Sequence, residues 1–272
     1  MSWRTIIRQG AVLHGVDYSV GPAKVLQHAL IFQHGLGGDE AQVADVMPAS
    51  GLRRLTLECR AQGRSEAGDP SGFAIATFVD DVLAFADACG VSRFAIGGIS
   101  MGAAIALRIA CLHPERVSAL ILARPAWLWD KAPANMQVFA ELAPFLALRD
   151  RAGFDASPTA ALLARQAPDN LASLRMFFDR PDCAIRAKLI AAISADGAGI
   201  SRAQISALKT PTLVLGNAID WIHPLAHAHQ LAALIPGARF VEIAPKATDK
   251  SRHAAEFKAA VSAFLLEVEA KP

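Results

Sequence analysis

"AIGGISMGAAIALRIA", residues 95–110, decides how this chain is read. An apolar run, Arg93-Phe94-Ala95-Ile96, leads into Gly98-Ile99-Ser100-Met101-Gly102, and a helix-length string of small and aliphatic residues follows. That is G-x-S-x-G in the setting the motif needs, a strand before it and a helix after it. A serine on such a turn has a strained backbone. The flanking glycines remove Cβ atoms that would collide, and Ala103 and Ala104 let the helix approach the sheet. The helix N-terminus then lies beneath the serine, where free N–H groups and the dipole favour a developing negative charge. The bland alternative is a glycine-rich turn with an incidental serine, and the flanking strand and helix argue against it.

Working outward, short apolar runs alternate with helix-length patterns, as in a parallel sheet covered on both faces. The runs are Ala29 to Phe32, Leu52 to Leu57, Arg93 to Ile96, Ala119 to Leu122, Thr212 to Leu215 and Arg239 to Ile243. Phe78, Val82, Phe85 and Cys89 recur at i, i+4, i+7 and i+11, one buried helical stripe that Gly90 ends. Between Leu122 and Pro211 the strand rhythm lapses. Only short helical patterns appear there, one opening with Ser157 as N-cap and Pro158 at the first helical position. The expected architecture is α/β, a mostly parallel central sheet with helices on both faces. Residues 1–125 and 209–272 form its core, and 126–208 an inserted helical cap.

The 272 residues are 53% hydrophobic, enough for one sizeable core. With 27 Lys plus Arg against 25 Asp plus Glu and no long basic run, a nucleic-acid surface is not expected. Cys59, Cys89, Cys111 and Cys183 lack C-x-x-C spacing and read as reduced thiols in apolar surroundings. The N-terminus has no signal-like apolar region, and the longest apolar stretch is broken at Arg124-Pro125, so a cytoplasmic protein without a membrane span is expected.

After the run ending at Phe32 comes His34-Gly35-Leu36-Gly37-Gly38. A glycine-rich loop there can aim the N–H of Leu36 at a carbonyl oxygen bound beside Ser100, complementing the N–H of Met101. A phosphate loop would need a G-K-[ST] ending, which is absent. His34 is read as holding the loop by hydrogen bonding. Together with the Gly98 to Gly102 elbow and "ECRAQGRS" (Glu58 to Ser65), these residues resemble the cap-bearing branch of the α/β-hydrolase superfamily. The resemblance covers nearly the whole chain. It implies nucleophile, acid and histidine in that chain order, serine at the elbow being usual in esterases, lactonases, carbon–carbon bond hydrolases and acyl-transfer enzymes.

Asp220 occupies the acid position, a few residues past the run Thr212 to Leu215. With Pro224 at the first helical position His223 would be the cap, leaving Asp220 free to orient an imidazole. The stretch Ala123-Arg124-Pro125 offers no carboxylate. Where the resemblance leads to Gly-His, the chain reads Ala247-Thr248, and neither can take a proton from serine. His253 is the only later histidine, and Phe257, Val261 and Phe264-Leu265 would turn it towards the core. The expected catalytic set is Ser100, Asp220 and His253, with His223 or an incomplete triad as alternatives. His223 and His227, at i and i+4, are read as solvent-facing histidines and not as a metal pair. Trp127, just past a strand end, is expected to line the substrate cleft with Leu36 and Met101. No cofactor motif is present. The expected function is hydrolysis of an ester, lactone or related acyl bond in a small, apolar or aromatic carboxylic compound. The alternatives are cofactor-free carbon–carbon or acyl-transfer chemistry, or a hydrolase-like binding protein.

Overall fold

The computed structural model describes residues 1–18, 29–47 and 52–270. Its centre is an eight-stranded sheet of order β1-β2-β4-β3-β5-β6-β7-β8. These strands are β1 (Ser2–Arg8), β2 (Ala11–Asp17), β3 (Ala29–Gln33), β4 (Arg53–Leu57), β5 (Phe94–Ile99), β6 (Val117–Ala123), β7 (Thr212–Gly216) and β8 (Arg239–Glu242). From β4 to β8 the pairing is parallel, and β1 and β2 are antiparallel additions at one edge. Those two were not read from the sequence, because β1 is an edge strand of intermediate and exposed residues with no apolar run. Gln9 and Gly10, both at positive φ (49° and 81°), make the two-residue turn that joins them.

Successive residues of the parallel strands serve opposite faces. Ile31, Ile96, Leu120, Leu122 and Val214 pack into one buried cluster. Leu30, Phe32, Ala119, Ile121, Leu213 and Leu215 pack into the other. Helices cover both faces, which is why these strands read as continuous apolar runs. The first face carries α2 (Ile75–Ala88), α3 (Met101–Leu112) and α10 (Leu225–Leu234). The second carries α1 (Glu40–Val46) and α11 (Lys250–Glu269), whose Phe257 is fully buried on the sheet.

From Ala123 to Thr212 the chain runs through helices alone: α4 (Gln137–Ala147), α5 (Arg151–Asp155), α6 (Pro158–Gln166), α7 (Pro168–Arg175), α8 (Cys183–Ala195), α9 (Arg202–Ser206) and short 3-10 turns. Ser157 caps α6 as read, its Oγ accepting the N–H of Ala160 at 3.2 Å. The buried side chains of this segment join the same cluster as the sheet's first face, so the two pack as one body. None of the described helices is long and apolar enough to cross a membrane.

The turn after β5 is the tightest point. Ser100 sits at φ 57°, ψ −111° as the residue before α3. A Cβ on Gly98 would fall on the backbone of Gly102, and one on Gly102 would fall on the carbonyl of Gln33. Glycine is required at both places by backbone contact. Gly98→Ala should therefore lower stability by about 2 kcal/mol or more, read as a shift of the urea midpoint, since backbone cannot step aside as a flexible side chain can.

Candidate active site

The loop after β3 is held from three sides. His34 is fully buried, its Nδ1 lies 2.8 Å from the Gly35 carbonyl, and its Nε2 accepts the Cys59 N–H at 3.0 Å. That pairing fixes the proton on Nδ1, and burial pushes the imidazole below its ordinary range, so it is neutral. Gly35 N–H donates to Gln42 Oε1 at 2.7 Å, and Gly37 N–H to Gln62 Oε1 at 2.6 Å. The Gln62 loop is itself anchored by a buried two-pronged ion pair, Arg60 to Asp81 on α2, at 2.7 and 3.0 Å. Among the described residues the N–H groups of Leu36 and Met101 find no acceptor. They are the two donors expected to face a bound carbonyl.

Asp220 follows Ile219, a β-branched residue at φ 57°, which marks a strained turn. The carboxylate is almost fully used. Oδ2 accepts Arg124 Nε at 2.9 Å and Nη2 at 2.6 Å. Oδ1 accepts Asn170 Nδ2 at 3.0 Å and the backbone N–H of His223 at 3.1 Å. His223 Nδ1 lies 2.9 Å from Oδ1 and 3.0 Å from Oδ2. Burial alone would raise the pKa of Asp220, but Arg124 and His223 overcome it and hold the carboxyl far below the usual range. With Asp220 ionised, the His223 Nδ1–H donates to the carboxylate, and Nε2 keeps a free lone pair.

His223 is the point where the structure departs from the sequence reading. Its side chain is only 9% exposed, not solvent-facing, and it lines the cleft that contains Ser100. The following helix begins at Leu225 with Pro224 as its cap, one residue later than expected. His253 points inward and is buried as read, but its Nδ1 lies 2.8 Å from the Ala244 carbonyl, and it neither bonds Asp220 nor lines the cleft. The physical reason is the path of the loop after β8: it sets Ala244 against the first turn of α11, where the carbonyl needs a donor. Trp127 also lies elsewhere. It is 1% exposed in the core beneath the inserted helices, its indole N–H donating to the Asp196 carbonyl at 3.0 Å.

The cleft measures ≈ 450 Å³. Ser100, Leu36 and His223 line its floor, and Phe139, Asn170, Leu174 and Phe177 from the helical segment form the opposite wall. Three cations line it that were not singled out from the sequence: Arg124 at the end of β6, Lys246 after β8, and Arg180 from the helical segment, which is paired with Asp39. Arg124 had a legible signal: a carboxylate destined for burial at one strand end needs a countercharge at the neighbouring one. Asn170, fifty residues from Asp220, had none.

With that geometry in view, the likeness to known proteins has a physical meaning. The profile of the alpha/beta hydrolase fold family matches residues 28–247. Proteins that bear the name carbamate hydrolase RutD are among the relatives of this chain. One from Variovorax paradoxus is 30% identical over 78% of this chain and 80% of its own length. One from Klebsiella pneumoniae is 30% identical over 64% of this chain and 66% of its own, so the match spans just under two thirds of that relative. The enol-lactonase from Burkholderia xenovorans superposes with a TM-score of 0.74 at 26% identity, covering 97% of this chain and 100% of the other. The chain belongs to the alpha/beta hydrolase fold family, and with these relatives it is a hydrolase.

His34 and His253 are buried, the His223 side chain is only 9% exposed, and all three imidazoles are pushed below the ordinary histidine range, loss of solvation being the first cause in each. In the unfolded chain each takes a proton near pH 6.5. The unfolded state thus binds more protons below that pH, and stability must fall as pH falls. Urea denaturation between about pH 7 and 5.5 should show a falling midpoint, the slope approaching about 1.4 kcal/mol per pH unit for each neutral histidine.

Proposed function

We propose that the chain hydrolyses an ester, lactone or related acyl bond of a small carboxylic compound, with Ser100 as nucleophile and His223, in place of His253, as general base. One observation carries the reading: His223 is bonded through Nδ1 to a buried, ionised Asp220 while it lines the same cleft as Ser100. The roles follow from the chemistry. His223 Nε2 takes the proton from Ser100 Oγ as Oγ attacks the acyl carbon, and the carbonyl electron pair moves onto oxygen. The N–H groups of Leu36 and Met101 receive that oxyanion. On collapse the proton passes from His223 to the leaving oxygen or nitrogen, and water then cleaves the acyl-enzyme by the same route. A neutral imidazole is the form such a base requires, and burial favours it in His223.

Residues 126–208 act in this reading as the cap that chooses the substrate, with Phe139 and Phe177 supplying its apolar face. The carbamate and the enol lactone named for the relatives both carry an acyl carbon bonded to a heteroatom, the bond class this machinery suits. Four free cysteines agree with a cytoplasmic setting.

The test is turnover of 4-nitrophenyl butyrate by three variants. Ser100→Ala and His223→Ala should each lose about 10⁴-fold or more in kcat, while His253→Ala keeps most of its activity. A fluorophosphonate should label Ser100 in the wild type. If His253→Ala is the dead variant and His223→Ala is active, the base is misassigned. If all three match a folded, unlabelled wild type, the hydrolase assignment of this cleft fails.

A further inference from the structure

Resting on that reading, we infer that the cleft takes a substrate bearing a carboxylate, which Arg124 and Lys246 hold beside Ser100. Arg124 stands next to the nucleophile by construction. Ile99 pairs with Ala123 across β5 and β6, and the Ser100 N–H donates to the Ala123 carbonyl at 3.0 Å, so the residue after Ala123 flanks the serine. Arg124 has φ 48°, a left-handed conformation uncommon for a residue other than glycine, which lets its guanidinium line the cleft over the sheet's edge. Nε and Nη2 are committed to Asp220. Nη1 has no partner among the described residues and is free to donate.

Lys246 supports the same ligand. Its side chain is 36% exposed, and its ammonium, 3.3 Å from Asp169, has three protons to place where one carboxylate oxygen meets it. The strand order puts both cations on one side of Ser100, Arg124 after β6 and Lys246 after β8, with His223 after β7. The acids lining the cleft, Asp39 and Asp45, belong to the α1 side, beyond β3, and Asp39 is paired with Arg180 at 3.0 Å.

The base gives an independent reason. Arg124 Nη2 lies 3.2 Å from His223 Nδ1, so a proton arriving on His223 meets a cation already in place. Asp220 is shared between the two and cannot serve the imidazole alone. A substrate carboxylate on Nη1 would restore the balance as the imidazolium forms, and an uncharged substrate would not. Specificity for an acidic substrate and assistance to the base then come from one contact.

The test is calorimetric titration of the intact protein with glutarate and with uncharged glutaramide, probes of similar shape. Glutarate should bind at least about ten-fold more tightly at low ionic strength, and the advantage should shrink as salt rises. Arg124→Gln should abolish the preference and Arg124→Lys should keep part of it. Because Arg124→Gln also strips Asp220 of its countercharge, Lys246→Gln is the second variant. It should weaken glutarate about three-fold or more with little change in Tm. Equal affinity for the two probes, binding of neither, or glutarate affinity unchanged in both glutamine variants overturns the inference. Since binding is read without turnover, a Ser100 that proves inert would sink the hydrolase reading while leaving the carboxylate site standing.

Discussion

A carboxylate with 2% of its side chain exposed stays ionised only if its surroundings supply the charge and hydrogen bonds that water no longer can. Asp220 meets that demand with Arg124 from the end of β6, Asn170 from α7, and both the backbone and ring of His223 from its own loop. Three separate parts of the chain are thereby fixed to one group. Removing a partner from such a buried pair costs about 3–5 kcal/mol, because the remaining charge is left without compensation. The strained turn at Ile219 is maintained against that background, and it delivers the His223 ring to the cleft with its Nδ1 side engaged.

The loop after β3, on the other side of Ser100, is itself held by neutral contacts. A buried imidazole with a fixed proton, two glutamine carbonyls and a pair of glycine N–H groups hold the loop after β3, and the Arg60–Asp81 pair secures the loop that supplies Gln62. These supports leave the N–H groups of Leu36 and Met101 unspent. The inserted helices close the space above and contribute Asn170, whose amide oxygen accepts the N–H groups of Trp221 and Ile222 at 2.6 and 3.1 Å. The segment that covers the cleft therefore also shapes the acid's loop.

Much of this was legible in the sequence because local constraint dictates it. Only glycine fits at 98 and 102, the parallel strands are buried on both faces and so read as apolar runs, and Ser157-Pro158 announces a helix start. The inward turn of His253 was legible from the Phe257 stripe, but burial is not function: the loop after β8 gives that ring a carbonyl partner. Trp127 failed for a related reason, since a large indole past a strand end can be core as readily as cleft, and Asp196 satisfied its N–H. His223 looked like a cap on a surface helix because the spacing to Pro224 was informative and the burial of the loop was not. Lys246 required the strand order itself, which brings it and Arg124, more than a hundred positions apart, to one end of a cavity.

Electrostatics sets the character of the site as much as geometry does. Burial first, and then Arg124 and Lys246, hold the His223 imidazole below its ordinary range against the opposing pull of Asp220. The assignment of His223 to Ser100 is tested most directly by the crystal structure of the protein after reaction with a fluorophosphonate. The expected result is phosphorus on Ser100 Oγ, its oxygen between the N–H groups of Leu36 and Met101, and His223 Nε2 within about 3 Å of Oγ. An adduct in which His253 has left the Ala244 carbonyl to approach Ser100, with His223 turned away, would contradict it.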